Sequence, residues 1–220
     1  MDNGLHQNDG FDWTAVFGRV APRVLDVGCG DGQYLLTAAS SHPECDHVGI
    51  EVLAPLVAKG QTEAQRRHLS NLRLLVGDAV HWLATQASDH SLDEIHAYHP
   101  QPYYDPTVVG LGMLSNAFFA DCWRVLRPTG LLVLQTDSRP YAKHLLAAAH
   151  KHFVVEVLPL PWPDAPQGRT RREEVALRKK LAILRAVARP RPVPLDVTPP
   201  PPFFAPGRPG LQTVRSALRK

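Results

Sequence analysis

Val24-Leu25-Asp26-Val27-Gly28-Cys29-Gly30-Asp31-Gly32 is the stretch on which the fold turns. An apolar run closes around Asp26, glycines follow at every second position, and a helical pattern starts at Gln33-Tyr34-Leu35-Leu36. This reads as a buried strand, a sharp glycine turn and a helix N-terminus. Glycine accepts positive φ and lets the backbone approach a ligand that any Cβ would exclude. The spacing is G-x-G-x-G, not the G-x-G-x-x-G of dinucleotide sites, and Asp26 stands just before the turn. A carboxylate there repels a pyrophosphate but accepts hydrogen bonds from a cationic, amine-bearing ligand. S-adenosylmethionine (SAM) has that chemistry. Taken alone, the motif also reads as a structural βα turn of some other α/β protein.

Working outward, strands are expected at 23–27, 47–51, 72–76, 94–98, 131–135 and 153–158, with helical pattern between them. That alternation predicts an α/β fold, a doubly wound and mostly parallel Rossmann-like sheet. Asp26, Glu51 and Asp78 then fall at the C-terminal ends of three consecutive strands. In an open parallel sheet that edge is where ligands bind. Glu51 can accept both hydroxyls of a ribose, and Asp78 suits an adenine amine. A single acid at a strand end is often only a helix cap, but three behind a glycine turn predict a SAM site, with Gly28 and Gly30 at the backbone approach.

The fourth strand ends in Tyr98-His99-Pro100-Gln101-Pro102-Tyr103-Tyr104-Asp105. In this topology that loop faces the transferred methyl group, so it is expected to hold the acceptor. Its prolines stiffen it and its aromatics offer stacking faces for an unpaired base; the bland alternative is a rigid turn with core aromatics. Asp137 closes the fifth strand on the same rim. Beyond the sixth strand, Arg169-Thr170-Arg171-Arg172-Glu173-Glu174 is expected to open a helix running to about Ala188, with Arg185 on its surface.

A chain of 220 residues with 44% hydrophobic content suffices for one α/β domain. We divide it into an N-terminal lead-in (1–20), a catalytic domain (21–189) and a Pro-rich basic tail (190–220) expected to be free of the body. No apolar run matches a membrane span and the N-terminus lacks the pattern of a signal peptide, so a cytoplasmic protein is expected. The three cysteines lie far apart without a C-x-x-C pair, so no metal site is expected. Residues 1–165 carry a charge balance of −7 and residues 166–220 one of +10. An acidic body with a basic C-terminal section suggests a polyanionic partner such as RNA, or simply a solvated basic tail.

Over roughly residues 22–185 the chain resembles the tRNA (guanine-N7)-methyltransferases, class I SAM-dependent enzymes that act on the tRNA variable loop. The matching pieces are Leu25-Asp26-Val27-Gly28-Cys29-Gly30, Gly49-Ile50-Glu51-Val52, Gly77-Asp78-Ala79-Val80, Leu126-Arg127-Pro128-Thr129-Gly130 before Thr136-Asp137, and the T-x-x-E element Thr170 to Glu173. The resemblance implies SAM as cofactor, held by Asp26, Gly28, Gly30, Glu51 and Asp78. It implies tRNA as partner, with Asp137, Thr170, Arg171, Arg172, Glu173 and Tyr103 on the substrate side. A monomer is expected.

The departures are specific. The family's Phe-Pro-Asp-Pro-Trp loop is His99-Pro100-Gln101-Pro102-Tyr103 here, and the basic run after it is missing. Guanine N7 carries a lone pair and no proton, so no general base is needed and positioning dominates. An amide can accept from a guanine N–H and donate to O6, which makes Gln101 the candidate catalytic orienter. Two other readings stay open at this point. One is a different acceptor, an amine or another small molecule, since Pro-Gln-Pro-Tyr faintly resembles the (Asp/Asn)-Pro-Pro-Tyr loop of amino-methyltransferases, though led by His99. The other is a non-catalytic SAM-binding paralogue that binds RNA or protein.

Overall fold

A computed structural model describes residues 10–100 and 113–203. After a short lead-in helix α1 (Trp13–Phe17), strands and helices alternate as β1 (Arg23–Val27), α2 (Gln33–Ser41), β2 (Asp46–Glu51), α3 (Ala54–Arg66), β3 (Leu72–Val76) and α4 (Ala79–Thr85). They continue as β4 (Leu92–Tyr98), α5 (Asn116–Val125), β5 (Leu126–Thr136), α6 (Arg139–Ala149), β6 (Phe153–Val157), α7 (Arg171–Arg178) and β7 (Leu184–Pro190). The seven strands form one sheet in the order β3-β2-β1-β4-β5-β7-β6. The β1 to β5 pairings are parallel, while β7 runs antiparallel between β5 and β6. The expected doubly wound, mostly parallel sheet is therefore present.

One face is apolar throughout. Leu25, Val48, Ile95, Leu132 and Ala186 pack with Leu83, Phe118, Phe119 and Leu145 of the helices above them. A smaller cluster, including Leu35, Val57 and Leu74, seats α2 and α3 on the opposite face over β2 and β3. Beyond β1 that second face changes character. It carries Glu94, His96, Tyr98, Gln135 and Arg185, and α7 lies over it.

Two expectations are corrected. The helix predicted to run to about Ala188 stops at Arg178: Lys180 turns left-handed at φ 52°. Leu181 N–H bonds Ala176 O at 2.9 Å and Lys180 N–H bonds Leu177 O at 2.9 Å, closing the helix in a Schellman pattern. Leu184 to Pro190 then pairs on both edges as a strand, where its small and β-branched side chains fit and helical periodicity does not govern. Residues 191–203 of the tail are also laid against the body. Arg191 N–H bonds His152 O, Leu195 N–H bonds Lys151 O, and Trp123 Nε1 donates to Arg191 O at 2.8 Å. Asn116 Nδ2 donates to Pro200 O, and the Phe203 ring sits 5.0 Å from Tyr141. Proline-rich chain lacks donors of its own, but its carbonyls and ring faces are good partners for helix side chains.

Gly60 in α3 sets how closely that helix meets the glycine turn: a Cβ there would lie 2.6 Å from Asp31 O. Ala in place of Gly within a helix ordinarily stabilises by about 1 kcal/mol. Here Gly60→Ala is expected instead to lower unfolding free energy by about 1–3 kcal/mol in a urea melt, because backbone has to move.

Candidate active site

The turn after β1 holds three left-handed glycines, Gly28, Gly30 and Gly32, at φ 76°, 59° and 73°. Only glycine takes that run without strain. Gly28 and Cys29 N–H groups both bond Ile50 O, tying the turn to β2. Glu51 braces it: one carboxylate oxygen accepts from Gly30 N and the other from Leu53 N, each at 3.1 Å. Among the described residues a Cβ at Gly30 would meet nothing within 4 Å, so none of them crowds the turn there.

Asp26 is 3% exposed, and its Oδ1 has no hydrogen-bond partner among the described residues. Burial, and then the neighbouring Glu51, push its carboxyl up to about 8. It lines a cavity of about 210 Å³ together with Gly28, Gly30, Tyr34, Tyr98, His99, Thr170, Arg171 and Arg172. Glu51 stands just behind that wall. Asp78 is the N-cap of α4, accepting from Val80 N and His81 N at 2.9 and 3.3 Å, and it is exposed at the rim.

The acceptor side lies between β4 and α7. Tyr98 accepts from Arg169 Nη1 at 2.9 Å, its oxygen is 2.8 Å from His96 Nδ1, and His96 Nε2 is 2.8 Å from Glu94. Arg169 also grips Asp164 through two hydrogen bonds and lies 4.1 Å over the Trp162 ring. Burial pushes both the Tyr34 and Tyr98 phenols up. His99 adopts φ 49°, a strained value for a non-glycine residue. Its Nδ1 is 3.3 Å from Asp137 and its Nε2 is 2.8 Å from Gln135 Nε2.

The predicted substrate residues separate into two groups. Arg172 lines the cavity and also clamps Asp137, with Nε 3.0 Å from Oδ2, so Asp137 supports the wall from behind with His99. Arg171 lines the cavity. Thr170 lines it too, and its hydroxyl accepts from Glu173 N at 3.2 Å to cap α7. Glu173 is a correction: it is 0% exposed, bonded to Arg169 N and paired with buried Arg185 at 2.7 Å. The T-x-x-E spacing is a capping-box spacing, and here the carboxylate turns inward to hold the helix. The expected surface position of Arg185 falls with it. Gln101 and Tyr103 lie outside the described residues.

The sequence reading passed over Glu94, His96, Gln135, Trp162 and Arg169. A signal was available in β4. A central parallel strand buried on both faces should read as a continuous apolar run, yet it carries a polar group at every second position from Glu94 to Tyr98.

With this geometry in hand, comparison with known proteins is informative. A family model described as "Putative methyltransferase" matches residues 20–186. A tRNA (guanine-N(7)-)-methyltransferase of Alkalilimnicola ehrlichii is 34% identical over 171 residues, covering 76% of this chain and 72% of that protein. One of Thiobacillus denitrificans is 32% identical, covering 74% and 72%. This chain belongs to the tRNA (guanine-N7)-methyltransferase family. Coverage of another family member, from Alcanivorax borkumensis, is lower: 38% identity spans 65% of this chain and 60% of that protein. Among solved structures, the 16S rRNA methyltransferase KamB matches with a TM-score of 0.59 at 18% identity, over 85% of this chain and 96% of that one, which speaks to the fold.

The family's cofactor is SAM, and the residues present fit it. An ammonium would supply the partner that Asp26 Oδ1 lacks, and the glycine turn leaves room for a ligand at Gly30. A carboxyl raised to about 8 is mostly protonated at pH 6, so binding an ammonium there must release a proton. SAM affinity measured by calorimetry is therefore expected to rise with pH between 5.5 and 7, by up to about tenfold per unit. Asp26→Asn removes that slope and weakens binding. For stability the sign is opposite: a raised carboxyl destabilises the fold as pH climbs from the unfolded value toward 8, so Asp26→Asn melts higher than wild type at pH 8 without ligand. Glu173→Ala strips the partner from buried Arg185, and a loss of about 3–5 kcal/mol in a denaturant melt is expected.

Proposed function

We propose that this chain methylates N7 of a guanosine in tRNA, using SAM. The observation that carries this reading is the similarity, at 34% and 32% identity, to two tRNA (guanine-N(7)-)-methyltransferases over 76% and 74% of the chain. Two described residues of the cavity agree with an acceptor that needs no base: the Tyr98 phenol is held protonated and both nitrogens of His99 are engaged. An exocyclic amine or a hydroxyl acceptor has to lose a proton during methylation; guanine N7 does not. SAM held at this edge would supply an electrophilic methyl carbon on a cationic sulfur, to which the N7 lone pair would bond as the C–S pair returned to sulfur, with the positive charge passing to the purine.

The chain's own part is then placement and electrostatics. Asp26 anchors the cofactor's ammonium end, and Glu51 keeps the glycine turn fixed while retaining lone pairs toward a ribose. Asp78, at the rim, is placed for an adenine amine. Tyr34 and Tyr98 give the cavity aromatic walls. Arg172, held by Asp137, offers a donor that suits guanine O6. Gln101 and Tyr103 are proposed to complete the grip on the base. Arg171, Arg178, Lys179 and Lys180 are exposed along and just past α7, a stripe suited to tRNA phosphates. The cytoplasm, where tRNA is met, is the compartment we propose. No helix among the described residues is long and apolar enough to cross a membrane.

The test is methyl transfer from tritiated SAM to unmodified tRNA, followed by nucleoside analysis. Label in 7-methylguanosine is expected; label in another nucleoside, or none despite SAM binding, overturns the reading. Replacing Arg178, Lys179 and Lys180 together by Ala is expected to raise the KM for tRNA about tenfold or more. The salt dependence of tRNA binding should flatten at the same time, with SAM affinity unchanged.

A further inference from the structure

Trp162 is 3% exposed and its indole N–H can only donate. It donates to Gln135 Oε1 at 2.6 Å, which fixes the amide: oxygen toward Trp162, nitrogen toward His99. Gln135 Nε2 then lies 2.8 Å from His99 Nε2. An amide nitrogen donates, so His99 Nε2 has to accept through its lone pair. The ring proton is left on Nδ1, which donates to Asp137 Oδ1 at 3.3 Å. Protonating Nε2 would set two donors against each other. Turning the amide over would only move the clash to the indole N–H.

Among the described residues, Asp137 from just past β5 and Arg172 and Glu173 from α7 act most strongly on the charge of His99, and Asp26, Tyr34, Tyr98 and Arg171 line the same cavity. Trp162 and Gln135 are neutral. Asp137 and Glu173 favour an imidazolium; burial, Arg172 and the Trp162–Gln135 pair oppose it. Burial is the largest influence, and the imidazole is held below its ordinary range.

We propose that Trp162 and Gln135 are positioning residues that lock His99 as the uncharged Nδ1–H tautomer at the acceptor end of the cavity. The role rests on the methyl-transfer reading above. The reaction starts from a cationic sulfur and finishes with a cationic purine, so an imidazolium lining the same cavity opposes both ends of it. A neutral His99 still donates to Asp137, and through it steadies Arg172, without adding positive charge.

The lock is tested on the full chain by nitrogen-15 NMR of the imidazole rings from pH 5 to 8, with His99→Phe assigning the signal. Wild type is expected to show the Nδ1–H tautomer, uncharged at pH 6. Trp162→Phe frees the amide to turn over, so the His99 midpoint should rise by about one unit. SAM binding by the same variant should weaken between pH 8 and pH 6 by up to about twofold more than in wild type. Adding His99→Phe to Trp162→Phe should restore the wild-type difference. Where Trp162→Phe does not fold, Gln135→Glu puts a carboxylate against His99 Nε2 at equal volume, and the same rise is expected. An Nε2–H tautomer or an imidazolium in wild type at pH 7 overturns the proposal, as does a His99 midpoint that stays put in these variants. None of these measurements contains tRNA, so failure of tRNA methylation would sink the functional reading and leave the lock decided on its own evidence.

Discussion

A carboxylate buried without a partner is the constraint around which the upper edge of the sheet is arranged. Asp26 sits at the end of β1 with its Oδ1 unsatisfied, in surroundings where an ionised group is costly. Such an arrangement persists because the rest of the edge is rigid enough to impose it. The glycine turn is pinned to β2 through Ile50 O, and Glu51 spends a lone pair from each oxygen on backbone donors rather than on Asp26. The cation that Asp26 lacks has to come with the ligand. Binding energy and pH dependence at this edge are thus two views of one missing partner.

The second organising feature is a polar layer where an ordinary α/β sheet would be apolar. Between β4, β5 and β7 on one side and α7 on the other run two hydrogen-bonded chains. Arg169, Tyr98, His96 and Glu94 form one; Trp162, Gln135, His99, Asp137 and Arg172 form the other. The buried Arg185–Glu173 pair lies alongside. Hydrogen-bonded networks of this kind add less to stability than oily packing of equal volume, but they fix orientation, because turning one member over breaks its bonds to the members on either side. The segment that joins β6 to α7 is tied to itself by Arg169 through Asp164 and the Trp162 ring, and to the sheet by the Arg169–Tyr98 and Trp162–Gln135 hydrogen bonds.

The glycine turn and the acids at the edge proposed to hold the cofactor were legible in the sequence for a local reason. The strand, turn and helix are contiguous, and the acids at successive strand ends follow from chain order alone. The parallel sheet followed from the same alternation. The acceptor half was less legible because it is assembled across distance. Glu173 looked like a substrate ligand until its partner Arg185 appeared twelve residues later on an antiparallel strand. That strand was missed because a short alanine- and valine-rich segment after a helix carries no periodicity to separate the two states. His99 read as a poor substitute in a loop, while its meaning depends on Gln135 and Trp162, far off in sequence. The proline-rich composition of 190–203 suggested a free tail, yet composition cannot show that Trp123 and Asn116 await its carbonyls.

The insertion of β7 between β5 and β6 governs the order in which the molecule can be built. β6 has no neighbour in the sheet except β7, which follows it in the chain. During synthesis β6 therefore emerges as an unpaired edge and stays one until residue 190 is available. Each of the first five strands can add to a sheet already present, β4 by returning to the free edge of β1, whereas the last two close together, along with α7 and its buried ion pair. Late, non-local closure of that kind slows folding and exposes strand edges meanwhile. The half of the protein proposed to recognise the acceptor is thus also the half whose strands pair across the later part of the chain.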